Sequence, residues 1–187
     1  MNLIGITGRA RSGKDTAASF LQQEFGYTPV AFATPMKKMA AVLTDEHVQA
    51  MNHDALKEGE VEWLGMTRRR IMQLLGNDAM KPVFGDDIWV RHLMHRLDTW
   101  YKNEKSVIVT DIRFDHEAHA IMDRGGFILR MHRDVGGLNG EAADHASERG
   151  IDPDLVDFDI DNNGTIGELK VELRKIAEFV AVHGGRR

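Results

Sequence analysis

An α/β fold with a parallel sheet covered by helices on both faces follows from three observations on this 187-residue chain. Short apolar runs rich in Val and Ile alternate with longer runs of helical period. The first apolar run passes straight into a glycine-rich turn, and a later one ends in an acid. Strands separated by helices pair in parallel, because each helix carries the chain back across one face of the sheet. Ligands then belong at the carboxyl ends of the strands.

The first strand-like run is Asn2–Thr7, with Leu3, Ile4 and Ile6 of buried type. It enters Gly8-Arg9-Ala10-Arg11-Ser12-Gly13-Lys14-Asp15-Thr16, in which two glycines bracket four residues ahead of a lysine. This is the layout of a phosphate-binding loop. Backbone N–H groups must turn inward around phosphate oxygens, which side chains at the glycine positions would obstruct. Ala17, Ala18, Phe20, Leu21 and Phe25 recur at helical spacing, so a helix over Lys14–Phe25 adds its N-terminal dipole to the loop. The pattern implies a nucleoside triphosphate, with Lys14 reaching its terminal phosphates. Asp15 stands where Ser or Thr usually touches Mg²⁺, and Thr16 follows. Either Asp15 serves the metal with a hard carboxylate oxygen, or Thr16 supplies the hydroxyl.

Further strands are expected at Thr28–Phe32, Ser106–Asp111, Phe127–Met131 and Asp157–Ile160. Helices are expected at Pro35–Leu43, Thr67–Met80, Ile88–Tyr101, Asp115–Asp123 and Ile166–Val182. Asp45–Trp63 is polar and mixed, and reads as a peripheral helical excursion. Asp134–Pro153 is rich in Gly, Asp and Ala without an apolar face, which suits a mobile lid.

Val107–Asp111 is a buried-type strand ending in an acid, a position from which Asp111 can hold metal-bound water or orient an acceptor. Arg113, two residues on, projects to the same side if the backbone stays extended. Lys37 falls in the first turn of the helix after the second strand. Arg68, Arg69 and Arg70 fall in the first turn of another, where they oppose the helix dipole and so are not there for helix stability. Arginine's planar fork suits phosphate, and of the three Arg69 is expected to face the site. Arg130 and Arg133 bracket the end of the fourth strand and the start of the lid. An arginine on a closing lid can neutralise charge on a transferred phosphoryl group. Asn162-Asn163-Gly164-Thr165 forms a turn at the last strand end, with Thr165 as N-cap of the final helix. His92/His95 and His116/His119 are spaced to share helix faces but lack a third ligand, and read as exposed surface. Met36, Met39, Met72, Met80 and Met94 read as core or pocket fillers.

Composition narrows the field. Hydrophobic content of 42% and charged content of 28% describe an ordinary globule, long enough for one well-cored domain. The net charge of −5 argues against a general nucleic-acid coat. With no cysteine there are neither disulfides nor thiolate metal sites. No apolar run approaches the ~20 residues of a membrane span, and no signal-peptide layout precedes the first strand. A cytoplasmic enzyme is the expectation.

Taken together these residues resemble the phage-type deoxynucleoside monophosphate kinases. The matching segments are Arg11–Thr16, Phe32–Lys37, Thr67–Arg69 with Gln73–Gly76, Trp89, Thr110–Phe114 with Glu117, Arg130, Arg133, His145–Glu148 and Asn163–Thr165. The resemblance covers nearly the whole chain, and Gly-Lys-Asp-Thr is itself typical of this group. Arg68 stands where the family pattern has proline. The resemblance implies a three-layer P-loop kinase fold with strand order 2-3-1-4-5. It further implies a single domain with a substrate-binding helical region at about 33–104 and a lid at about 133–153. The implied reaction is transfer of the γ-phosphoryl of ATP to a dNMP with Mg²⁺ as cofactor, in host cytoplasm if the chain is phage-encoded. Arg11, Ser12, Gly13, Lys14, Asp15 and Thr16 would cradle ATP, with Asn163, Gly164 and Thr165 at the adenine. Lys37, Arg69, Gln73, Trp89, Asp111 and Arg113 would hold the monophosphate. Asp15, Thr16 and Asp111 are the metal-side groups, and Lys14, Asp15, Asp111 and Arg133 the catalytic ones. Partners are these small molecules, not nucleic acid or membrane, and a homodimer is compatible with the sequence. The alternatives are another small P-loop kinase, such as a dephospho-coenzyme A kinase, and a nucleotide-dependent switch ATPase.

Overall fold

Ile4 and Ile6 of the first strand, β1 (Leu3–Thr7), join the main apolar core on one face of a sheet, while Leu3 lies near Ile121 on the other. A strand buried on both faces reads as a continuous apolar run, which is why its sequence shows no alternation. The computed structural model describes residues 2–101, 105–134 and 150–184. After β1 come α1 (Lys14–Phe25), β2 (Thr28–Val30), α2 (Thr34–Thr44), α3 (Arg68–Gln73) and α4 (Ile88–Tyr101). They are followed by β3 (Val107–Ile112), α5 (Asp115–Met122), β4 (Phe127–His132), β5 (Phe158–Asp161) and α6 (Ile166–His183).

The chain forms two compact units, one of Met1–Ala31 with Arg96–Arg187 and the other of Phe32–His95. The first unit holds a five-stranded sheet in the order β2-β3-β1-β4-β5, parallel throughout, as the resemblance implies. Ala17 and Leu21 of α1 and Leu169, Leu173, Ile176 and Val180 of α6 bury against Ile4, Ile6, Ile108 and Leu129. Ala118 and Ile121 of α5 are buried at the opposite face. Each such branched or leucine side chain contributes about 1.5–3 kcal/mol of apolar burial. The register Thr7↔Ile112 and Thr7↔Arg130 brings the carboxyl ends of three strands together where β1 leaves the sheet.

The second unit has its own core, in which Ala40 and Ala41 of α2 meet Met51, Val61 and Ile71 and Met72 of α3. Two of its elements differ from expectation. The Asp45–Trp63 stretch folds as a 3₁₀ turn at Val48–Met51, one helical turn at Asp54–Lys57 and the first strand of a two-residue hairpin, Glu60–Val61 with Met66–Thr67. The run expected as one helix over Thr67–Met80 changes character at its middle. Thr67 Oγ1 accepts from the Arg70 amide and caps α3, but Leu74–Met80 is π-helical before a last helical turn at Lys81–Phe84. Of the methionines, Met72 and Met94 are buried and Met36 packs on the second core. Met39 is at the surface instead, because the inward stripe of α2 runs through Ala40, Ala41 and Thr44. His92, His95, His116 and His119 are exposed.

Candidate active site

The loop between β1 and α1 takes the backbone form that a phosphate cradle needs. Arg11 and Gly13 have φ of 64° and 101°, and left-handed residues interrupting a loop are the conformation in which successive amides can form an anion-binding concavity. Gly8, at φ 140°, could carry no side chain: a Cβ there would lie 2.4 Å from the Met131 carbonyl oxygen. Lys14 Nζ donates to the Gly8 and Arg9 carbonyls at 2.6 Å each, which draws its charge back over the loop. The Ser12 hydroxyl is buried with no hydrogen-bond partner among the described residues. A buried hydroxyl left so costs free energy, and a phosphate oxygen arriving in the concavity would satisfy it. Asp15 and Thr16 are exposed in the first turn of α1, where the acid also suits the helix dipole.

Asp111 sits half-buried at the carboxyl end of β3, beside Ile112, which pairs with Thr7 at the mouth of the loop. Arg113 follows with an exposed side chain. Beneath them lies Glu117, only 8% exposed, whose Oε2 accepts from the Arg113 amide at 2.8 Å and the Phe114 amide at 3.2 Å. Burial pushes this carboxyl up to about 7, and the nearby Asp111 charge adds to the rise, against the opposing pull of the two amides and the Arg113 charge.

At the end of β5, Asn163 Oδ1 accepts from the Asp134 amide at 2.7 Å and its Nδ2 donates to Asp161, tying the chain after β4 to this turn. The Thr165 hydroxyl accepts from the Glu168 amide, and Glu168 accepts in return from the Thr165 amide, so Thr165 is a reciprocal helix cap as its position predicts. Asn162 is buried and donates to the Ser12 carbonyl at 2.9 Å. Arg130 is paired with Asp159, which also meets His132 Nε2 at 3.0 Å. Arg133 is exposed. The expected lid at about 133–153 falls mostly on 135–149, outside the described residues, as do His145, Ser147 and Glu148.

In the second unit Lys37 Nζ donates to Asn52 Oδ1 at 3.0 Å. Trp89 is half-buried, its indole N–H donating to the Gly76 carbonyl at 3.3 Å within the π-helical segment. Arg69 is half-exposed and pairs with Glu58, and Gln73 is exposed at the end of α3. Arg68, in the position of the family's proline, clasps Glu46 through Nε and Nη2 and reaches the Leu56 carbonyl. It staples the irregular 45–67 stretch, while Arg69 and Arg70 are both exposed.

The sequence profile of the deoxynucleotide monophosphate kinases matches residues 2–68 and 42–173, overlapping segments that span most of the chain. The chain belongs to the deoxynucleotide monophosphate kinase family. A protein of Acanthamoeba polyphaga mimivirus, provisionally named as such a kinase, is 31% identical over 145 residues, 71% of this chain and 75% of that one. The deoxynucleotide monophosphate kinase of Escherichia phage RB69 is 29% identical, with 94% of this chain and 99% of that one covered. That of Enterobacteria phage T4 is 24% identical, with coverage of 90% and 95%. Among solved structures, dephospho-CoA kinase from Campylobacter jejuni superposes with a TM-score of 0.55 at 15% identity, covering 96% of each chain. At that identity the likeness speaks to the fold, which is that of the P-loop kinases.

Within this kinase, two residues that matter to the site geometry carried only weak signals in the sequence. Glu117 stands three residues after Phe114, the spacing of a helix-capping acid, and that spacing is the signal that could have found its bonds to the turn. Asn162 opens the Asn-Asn-Gly-Thr turn, and nothing local distinguishes it from its exposed neighbour Asn163. Among the described residues no group of three or more His, Asp or Glu side chains gathers as a metal cluster, and no helix is long and apolar enough to cross a membrane.

Proposed function

We propose that this chain transfers the γ-phosphoryl group of ATP to a deoxynucleoside monophosphate, giving ADP and the corresponding diphosphate. The observation that carries the reading is the loop Gly8–Lys14, whose left-handed residues suit an anion-binding concavity, beside a buried Ser12 hydroxyl with no hydrogen-bond partner among the described residues. ATP's phosphates lie against Arg11, Ser12, Gly13, Lys14, Asp15 and Thr16, and Lys14 leaves the loop carbonyls to follow the β- and γ-phosphates. Asn163, Gly164 and the Thr165 backbone border the adenine. The Thr165 hydroxyl, engaged as a cap, takes no part.

For the acceptor, Arg113 of the first unit offers a guanidinium fork to the phosphate. The second unit by itself offers Lys37, Arg69 and Gln73 as polar groups and the Trp89 ring, fixed by its bond to Gly76, as an apolar face. That phosphate is already an anion near neutral pH, so the chain's task is alignment and charge neutralisation rather than deprotonation. Asp111 orients the attacking oxygen, and Arg133 offsets charge building on the transferred group. Asp15, Thr16 and Asp111 are hard oxygen donors, the set Mg²⁺ takes when nucleotide phosphates and water supply its other ligands, and they would hold it. When bound, it would neutralise charge across the β- and γ-phosphates. The enzyme acts in the cytoplasm, with no nucleic acid or membrane in its cycle.

A product-resolved assay with ATP and Mg²⁺ against all four dNMPs, the matching ribonucleotides and dephospho-coenzyme A tests the reading. Diphosphate formation from one or more dNMPs is expected. Turnover on dephospho-coenzyme A alone, or ATP hydrolysis with no small acceptor, would overturn it.

A further inference from the structure

A phosphate loop whose amides point inward must point carbonyls outward, and buried outward carbonyls need donors from elsewhere in the fold. Lys14 serves those of Gly8 and Arg9, and the Ser12 amide also donates to Arg9 at 3.2 Å. The Ser12 carbonyl, next to Gly13 in the loop, is served by the Nδ2 of Asn162, 150 positions away in the chain. Asn162 is itself fixed. It is only 7% exposed, its amide donates to the His132 carbonyl at 2.7 Å, and the carboxamide fills the space beside Gly13. A Cβ at Gly13 would fall 2.3 Å from Asn162 Nδ2. The neighbouring strand end covers the loop's other glycine, since Met131 closes over Gly8. The ends of β4 and β5 thus hold the loop from outside, and Asn162 is the side chain that does so at Ser12.

We propose that Asn162 is the positioning residue of the phosphate cradle, holding the Ser12 peptide so that the loop's amides stay aimed at ATP. Its place in the chain adds a second consequence. Asn163 and Gly164, assigned above to the adenine, follow it directly, so one side chain fixes the spacing between the adenine-side turn and the phosphate cradle. The proposal rests on the ATP reading of the loop, and concerns a residue which that reading leaves without a role.

Two variants and one control test it by steady-state kinetics in ATP and in dNMP, with melting temperature alongside. Asn162→Ala removes the donor, while Asn162→Asp keeps the volume and turns an acceptor toward the Ser12 carbonyl. Both should raise KM for ATP about tenfold or more, the scale of losing a buried hydrogen bond and leaving its partner unsatisfied. KM for dNMP should hold. An unchanged KM for ATP in either folded variant would overturn the proposal. So would a parallel rise in both KM values, or failure of both variants to fold, since each assigns Asn162 to general stability. Lys14→Ala in the same assay separates the two levels. If it retains wild-type turnover the phosphate-loop reading fails, whatever Asn162 does.

Discussion

The Glu117 carboxylate holds the Arg113 amide at 2.8 Å, so a buried acid fixes the turn that presents an exposed cation. Burial, which disfavours the charge, pushes its carboxyl up to about 7 from 4.5 for the free side chain. Between those values the native state holds the extra proton. Stability from this group is therefore full below about pH 4.5 and is lost as pH rises toward 7, by about 3 kcal/mol in all. Glu117→Gln has no proton to lose. Its melting temperature should fall less than that of the wild type between about pH 5 and 7, by calorimetry. Parallel pH profiles for the two proteins would reject the assignment.

Asp15 and Thr16 make different demands on the metal. Asp15→Asn keeps size and hydrogen-bonding capacity but removes charge. It should raise the Mg²⁺ concentration for half-maximal activity several-fold with little change in melting temperature, because Asp15 is exposed. An unchanged Mg²⁺ requirement would hand the role to Thr16 and Asp111.

Arg113 and Arg133 are both exposed arginines near strand ends, yet their proposed roles predict different kinetics. Arg113→Ala should raise KM for dNMP by about 10–100-fold, the worth of a charge-assisted hydrogen bond, and leave KM for ATP nearly intact. Arg133→Ala should lower kcat by about 10²–10³-fold with a small effect on KM, as expected for a contact made in the transition state. The same signature in both variants would defeat this division.

The Arg68–Glu46 clasp supports the second unit rather than the chemistry. Arg68→Ala should cost about 1 kcal/mol, or roughly 2–4 °C in melting temperature for a chain of this size. Its kcat should hold, which distinguishes it from Arg69→Ala, where KM for dNMP should rise. A large loss of kcat in Arg68→Ala with unchanged melting temperature would move Arg68 into the site.

The strands and the phosphate loop were legible because their signals are local. Two glycines four residues apart after an apolar run, and Val107–Asp111 ending in an acid, carry their meaning in sequence order. The change from α- to π-helical bonding at Leu74 was not legible, since both forms bury a similar apolar stripe and differ only in which carbonyl each amide reaches. The hairpin at Glu60–Thr67 was missed because two-residue strands leave no alternation to read, and its turn depends on Gly65 at φ 60°. Arg68 illustrates a third limit. In sequence order its run of three arginines reads as phosphate-binding, and only the fold brings Glu46, twenty-two residues earlier, within reach. Asn162 shows the same limit over a longer span.

The pairing of β1 has a consequence for synthesis on the ribosome. Leu3 pairs with Val107 and Ile4 with Phe127, so the central strand is made first and its neighbours more than a hundred residues later. At 5–20 residues per second, β1 waits roughly 5–20 s for its first partner. Residues 32–95, a unit with its own core, are translated within that interval. The inserted unit can therefore fold before the sheet that flanks it in sequence can close. Until residue 107 emerges, the apolar Leu3–Ile6 stretch lacks both of its strand partners, and α1 with Tyr27 is the cover from its own core that the nascent chain already holds.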